Sequence, residues 1–166
     1  SGSTVAFLGD VTLAGLVTAT ADAANYAVSL TGSTVSITNA VTFQNTGTVQ
    51  LGDAKTDSLT FTGGLTSTAP STTKLAGAIT TTNAAAGFGV ASLTADTVVT
   101  TGSGDIAFTD VLDGAQALTA NSQGTTTFGG AVGGVTPLVS LATNAGGTTA
   151  IKDRKSTRLN SSHLVI

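Results

Sequence analysis

Aspartates are almost the only side chains in this sequence that could do acid–base or metal chemistry. Residues 1–152, the body of the chain, contain eight Asp and three Lys but no Glu, Cys, Arg or His. Acid–base catalysis would need paired carboxylates, and the nearest pairs in sequence are Asp110 with Asp113 and Asp53 with Asp57. Because the body offers no Arg or His beside them, we expect solvated turn aspartates, and no catalytic, cofactor-binding or metal-binding residues.

Calcium is the alternative chemistry for one of these aspartates. The stretch TGSGDIAF (101–108) resembles the Gly-rich repeat of calcium-binding β-rolls, in which Asp oxygens ligate ions between turns. The spacing is one residue short, and no tandem copy follows. A calcium site near Asp105 stays open as an alternative, but the glycines are better explained by a turn before a strand.

Threonine hydroxyls form the remaining polar pattern. Thr-x-Thr pairs on a single flat face could order water, as in ice binding. Their uneven separations, 48, 14 and 45 residues, predict that no single face collects them, and β-propensity already explains the threonines. The pairs are Thr18/Thr20, Thr66/Thr68, Thr80/Thr82 and Thr125/Thr127.

The last fourteen residues, DRKSTRLNSSHLVI (153–166), differ sharply from the body. They hold both arginines (Arg154 and Arg158), the fourth lysine (Lys155) and the single histidine (His163). Codon by codon, this run resembles the translation of an adapter ligated to DNA fragments for short-read sequencing. We therefore expect a non-native, disordered tail, and we do not count its basic residues as a catalytic base or a phosphate-binding arm.

Charge and hydropathy narrow the classes of partner. The full chain has a net charge of −3, and the body alone carries −5 from its eight Asp and three Lys. An acidic body without Arg argues against nucleic acid and against anionic lipid surfaces. No apolar run reaches the length of a membrane span, and the opening SGSTVAFLGD has no signal-peptide pattern. We expect an interior fragment of a longer protein that continues into further repeats at both ends.

Alternation of apolar and small polar residues predicts an all-β body. Val and Thr favour the pleated surface, and Gly-Gly pairs at 63–64, 129–130, 133–134 and 146–147 indicate turns or bulges. We read TADAANYAVSL (20–30) as a loop that leads into a strand. The strand-and-turn segments are VSITNAVTF (35–43), SLTFTGGL (58–65), GDIAFTDVL (104–112) and TTTFGGAV (125–132).

Internal repeats of about twenty residues suggest how these strands are arranged. Phe88, Phe108 and Phe128 are twenty residues apart, and Phe43 and Phe61 each open a similar segment. At the same offset of twenty, Val111 matches Ala131, Gly114 matches Gly134 and Leu118 matches Leu138. Such a period predicts a β-solenoid of about seven coils with the phenylalanines in an interior ladder. One or two β-sandwich domains are the alternative, since sandwiches also have short, regularly spaced strands.

The segment 104–151 resembles the β-strand repeats of giant bacterial surface proteins. These are the filamentous-haemagglutinin-like and autotransporter-like adhesins, and TTFGGAVGGVTPLVSL (126–141) carries most of the likeness. The resemblance implies a right-handed parallel β-helix over residues 1–152 and export to the bacterial cell surface.

It also implies a structural stalk or an adhesive region without catalysis, whose partners would be a host or neighbouring cell surface, glycans or matrix. The alternative is a polysaccharide-active β-helix enzyme with an Asp cluster. A cluster of three Asp on one exposed face, lining a groove, would favour the enzyme, whereas a smooth Thr/Gly/Ala surface with scattered Asp would favour the stalk.

Overall fold

A computed structural model describes residues 2–19, 25–144, 146–152 and 164–165 of the chain. Strands, turns and irregular segments make up these residues, and none of them lies in a helix. Among them there is accordingly no helix long and apolar enough to cross a membrane.

The strands stack into three parallel ladders. We call them ladders 1, 2 and 3 in the order in which each turn of the chain visits them. Ladder 1 comprises β1 (Thr4–Phe7), β3 (Ala27–Leu30), β6 (Thr48–Leu51), the first parts of β9 (Thr72–Thr81) and β11 (Ala91–Gly102), and β13 (Leu112–Asp113).

Ladder 2 comprises β2 (Val11–Leu13), β4 (Thr34–Ile37), β7 (Ser58–Phe61), the second parts of β9 and β11, β14 (Ala117–Ser122), β16 (Ser140–Thr143) and β18 (Leu164–Val165). Ladder 3 comprises β5 (Val41–Thr42), β8 (Leu65–Ser67), β10 (Ala86–Phe88), β12 (Ile106–Phe108), β15 (Thr125–Phe128) and β17 (Thr148–Ile151).

The chain is therefore a parallel β-helix of about seven turns, and the predicted fold class is confirmed. Coil length is read directly from ladder 3, where Val41, Leu65, Ala86, Ile106 and Thr126 are successive partners, 24, 21, 20 and 20 residues apart. At the usual strand spacing of about 4.8 Å, seven turns make a rod roughly 35 Å long.

Alternation within each strand sends every second side chain into the interior. Strands such as β3, β7 and β15 have alternately buried and half-exposed residues, which is the period of two that the sequence shows. Equivalent inward residues then stack from coil to coil. One column of ladder 1 runs through Phe7, Leu30, Leu51, Leu75 and Leu93.

The predicted phenylalanine ladder is present. Phe88, Phe108 and Phe128 are register partners in ladder 3, each 0 % exposed. Their ring centroids are 5.1 and 5.4 Å apart, and the rings of the second pair are nearly parallel, with 1° between the planes. Offset stacking of this kind adds to the free energy gained by burial alone.

Two of the predicted repeat equivalences are wrong. Phe43 follows β5 on ladder 3, whereas Phe61 ends β7 on ladder 2, so they do not occupy equivalent positions in the coil. Leu118 pairs with Leu141 rather than with Leu138. Leu112 and Val132 still match, because a β-bridge joins them. The corner at 133–139 then inserts extra residues before β16, so the later partners are shifted.

Corners between the ladders bring backbones into contact. Gly32 lies directly beside Gly9 in the preceding coil, and a Cβ at Gly32 would stand 2.0 Å from the carbonyl oxygen of Gly9. Only glycine allows this approach. The Gly63-Gly64 pair also forms a corner, where Gly64 has a φ of +106°, as the sequence predicts.

Candidate functional site

Five aspartates lie along one edge of the rod, where the chain passes from ladder 1 to ladder 2. We call this edge the acidic corner, and it contains Asp10, Asp53, Asp57, Asp96 and Asp113. Asp53 lies in the same corner as Asp57 but is exposed. Stacking of the coils thus brings to one edge carboxylates that are far apart in sequence.

Three of these carboxylates, those of Asp10, Asp96 and Asp113, join one coil to the next. Oδ1 of Asp10 accepts hydrogen bonds from the Ser33 hydroxyl and the Thr34 N–H, each at 2.9 Å. The N–H of Ala117 donates to Oδ1 of Asp96 at 3.0 Å. Charge-assisted bonds of this kind satisfy corner amides that the β-ladders leave unpaired. The predicted turn aspartates are therefore structural links between coils.

Asp113 holds the corner at 133–139 of the next coil. Its Oδ1 accepts the N–H groups of Val135 and Thr136, at 3.0 and 3.2 Å. Asp110, the other member of that predicted pair, lies where the chain passes from ladder 3 to ladder 1, and its Oδ1 accepts the N–H of Val111 at 2.8 Å. The structure thus gives the two carboxylates separate backbone partners.

Asp57 is the most enclosed carboxylate of the corner, with 5 % of its surface exposed. Burial by itself raises its pKa, but the N–H groups of Asp53 and Ala54 donate to Oδ2 at 2.9 and 3.0 Å and, with the Asp53 side chain, lower the pKa below the usual value. A general acid needs a raised pKa, so this environment favours a fixed carboxylate over a proton donor.

Asp105, the calcium candidate, lies at the corner between ladders 2 and 3. Its Oδ1 accepts the N–H of Thr125 in the next coil at 2.7 Å. Asn83 makes the matching link one coil earlier, with its Oδ1 accepting the N–H of Ser103 at 3.1 Å. Within the described part of the chain, no three acidic, His or Cys side chains come together in a group that could hold a metal ion.

Buried hydroxyls line the inner side of the corner between ladders 2 and 3, where Asp105 lies. Thr81, Thr101, Ser122 and Thr143 are between 0 and 7 % exposed. The hydroxyls of Thr81 and Thr101 donate to the carbonyls of Ala84 and Gly104, three residues ahead, while Ser122 donates to Gly104 in the coil before at 2.7 Å. These bonds give the carbonyls of the corner hydrogen-bond partners, so the hydroxyls stabilise the turn.

The outer side of ladder 2 carries an uncharged polar column, which we call the hydroxyl column because five of its six members are Thr or Ser. The sequence does not reveal this column, because its members are separated by 20 to 24 residues and are flanked by different residues in each coil. Among the described Thr-x-Thr residues, Thr80 is on ladder 2 and Thr66 and Thr125 are on ladder 3, so these pairs are divided as predicted; Thr20 lies outside the described residues. The column runs through Thr12, Ser36, Thr60, Thr80, Thr100 and Asn121.

The first coil has an open apolar cavity of about 510 Å³. Inward residues of the first two coils line it, among them Val5, Phe7, Leu16 and Val28. Val5 is 47 % exposed, although its partner Val28 in the next coil is 2 % exposed. The cavity is therefore lined in part by residues that continue the interior columns of the later coils.

Most of the predicted tail (153–166) lies outside the described residues, including Arg154, Lys155, Arg158 and His163. The exception is Leu164–Val165, which forms a short strand paired with Leu141–Ala142 of β16.

Comparisons with known proteins identify no relative. No protein-family model matches the chain, and neither a curated protein nor a solved structure matches it.

Proposed function

We propose that this chain is a repeat region of a secreted bacterial surface protein, acting as a structural stalk or as an adhesive surface. The observation that carries the proposal is the coil stack itself, about seven parallel turns held by continuous interior columns. In such a solenoid each coil contacts its neighbours, so length can be added without redesigning the core.

The surface chemistry supports a spacer or a contact surface. The outer column of ladder 2 is uncharged from Thr12 to Asn121, and the described carboxylates of the acidic corner are engaged by backbone N–H groups or, as with Asp53, exposed in a turn. An uncharged polar face with Asp side chains held at the corners supports a stalk, for which a smooth surface with scattered Asp is expected.

Binding to surfaces tests the adhesive half of the proposal. Beads coated with the purified chain should attach to host cells, glycan arrays or matrix more strongly than beads coated with an unrelated β-helix. Attachment would identify an adhesive region. No attachment, combined with antibody labelling of the chain on intact cells of its source, would identify a stalk. Absence of the chain from the cell surface would refute the proposal.

An activity assay addresses the enzymatic alternative. Incubation with acidic and neutral polysaccharides should release no new reducing ends or unsaturated products. Release that is abolished in Asp53→Asn/Asp57→Asn would contradict the proposal.

A further inference from the structure

We propose that the outer face of ladder 2 binds ice, through a two-dimensional array of hydroxyl groups that orders water into an ice-like layer. The array, which we call the hydroxyl face, comprises the hydroxyl column and the outward residues on either side of it. The inference goes beyond the proposed surface role and does not depend on it, since it concerns only this face of the rod.

The hydroxyl face has three columns, because each strand of ladder 2 presents alternate residues to solvent. The central one is the hydroxyl column. The column before it begins with Thr34 and Ser58, which pair in adjacent coils. It continues through Ala78, Val98 and Thr119.

The column after it contains Thr38, Thr62 and Thr82, which are exposed or half-exposed. The N–H of Thr62 donates to the Ile37 carbonyl at 2.9 Å, which continues the register of β4 and β7 by one residue. The N–H of Thr82 donates to the carbonyl of Thr62 at 3.2 Å, so these two residues are neighbours in successive coils. Three consecutive coils therefore each contribute a pair of hydroxyls two residues apart, namely Ser36–Thr38, Thr60–Thr62 and Thr80–Thr82.

The fold sets the spacing of this array in two directions. Neighbouring coils are about 4.8 Å apart, and residues two apart along a strand are separated by about 6.6 Å. The pairing of β4, β7 and the second part of β9 runs without a register shift, so the hydroxyls repeat at these distances. An ice surface also presents oxygen atoms in a regular lattice with repeats of similar size, so water bound to the face can join that lattice.

The hydroxyls of the central column are available to water. In the described part of the chain, those of Ser36, Thr60 and Thr80 form no hydrogen bond with the protein, whereas the buried Thr81 and Thr101 hydroxyls donate to carbonyls. The restricted χ1 rotation of threonine holds each hydroxyl in a defined direction. Ordering water on such a face therefore costs little side-chain entropy.

The chemistry of the face favours ice over a polysaccharide or a protein. The segments 34–38, 58–62, 78–82 and 98–102 contain no charged residue, so no side chain in them holds a hydration shell of its own in competition with the lattice. Their single aromatic residue, Phe61, is buried. These segments thus offer no exposed ring on which a sugar could stack, and no aromatic or Arg anchor of the kind that dominates protein interfaces.

Incorporation into growing ice tests the proposal without any substitution. A dilute solution of the purified chain is frozen slowly onto a cold probe, and the protein in the ice is compared with the protein left in the liquid. The wild-type chain should enter the ice, whereas serum albumin in the same solution should be excluded. A seeded ice crystal in the wild-type solution should also freeze at a lower temperature than it melts.

Substitution then tests which face is responsible. Thr60→Lys/Thr80→Lys places two strongly hydrated charges at adjacent positions of the hydroxyl column, so incorporation into ice should be lost. Thr42→Lys/Thr66→Lys is the matched control, because these threonines are partners in adjacent coils of ladder 3 and lie outside the hydroxyl face. The control should enter ice as the wild type does, and circular dichroism checks that both variants are folded.

Three results would overturn the proposal. The first is exclusion of the wild-type chain from ice, which is decisive even if a double variant fails to fold. The second is equal incorporation of the two folded double variants. The third is retention of the wild-type chain on crystalline cellulose without entry into ice, which would assign the face to a polysaccharide.

Discussion

The stacked phenylalanines of ladder 3 make a quantitative prediction about stability. Phe108 lies between Phe88 and Phe128, with centroid separations of 5.1 and 5.4 Å. Phe61 is equally buried, at 0 % exposed, but it lies on ladder 2 between Ile37 and Thr81. The two residues therefore share chemistry and burial and differ in their aromatic neighbours.

Replacement by leucine separates stacking from burial. Phe61→Leu and Phe108→Leu each lose some volume and some packing, and we take that loss as common to both sites. Phe108→Leu also loses two aromatic pairs, each worth about 0.5–1.5 kcal/mol beyond burial. The free energy of unfolding should therefore fall by about 1–3 kcal/mol more in Phe108→Leu than in Phe61→Leu.

Urea unfolding followed by far-ultraviolet circular dichroism measures this difference, with coincidence of a second probe as the check on two-state behaviour. The two variants should have the same m-value as the wild type. Equal losses in both variants, or a larger loss in Phe61→Leu, would refute the claim that ring stacking stabilises the column.

Three further predictions concern the corners and the core. Gly32→Ala should lower the free energy of unfolding in urea by about 1–3 kcal/mol, because its Cβ meets the Gly9 backbone. Gly9→Ala is the control, and it should lower that free energy far less because there is open space around its Cβ. Similar losses in the two variants would contradict the corner geometry. The pKa of Asp57 is lowered in the folded protein, so its ionised form adds stability that is complete above the unfolded pKa of about 3.9 and is lost as the pH falls through the folded pKa. Asp57→Asn should therefore lose less stability than the wild type when the pH falls below about 4. An identical fall in the free energy of unfolding for both proteins would argue against that role. Thr73→Val should lower the free energy of unfolding by about 1–3 kcal/mol, because it removes the hydrogen-bond partner of the buried Ser67 hydroxyl, 2.7 Å away. Adding Ser67→Ala should recover part of that loss. Additive losses in the double variant would contradict a coupled pair.

The sequence predicts the fold class well because the fold is periodic. Alternation identifies the strands, and the spacing of twenty residues between Phe88, Phe108 and Phe128 identifies one column directly. The prediction fails where corners change length. Phe43 and Phe61 have similar local surroundings, but a sequence offset cannot show that they belong to different ladders.

The links between coils could not be predicted for a related reason. Asp10 and Thr34 are 24 residues apart, and only the register of the coils brings the carboxylate to the N–H group. An isolated Asp in a turn has the same local pattern whether it is solvated or holds the next coil. The hydroxyl column of ladder 2 is likewise visible only after coils of unequal length have been aligned.

Engineered cysteines test the coil register most directly, since the chain contains no cysteine. Thr60 and Thr80 are partners in adjacent coils of ladder 2, about 4.8 Å apart, which is within the range that a disulfide spans. Thr100 is the partner of Thr80 one coil further on, so it lies about 9.6 Å from Thr60. On mild oxidation, Thr60→Cys/Thr80→Cys should form an intramolecular disulfide and Thr60→Cys/Thr100→Cys should not. Efficient closure of the second pair, or failure of the first in a folded protein, would contradict the stacked β-helix.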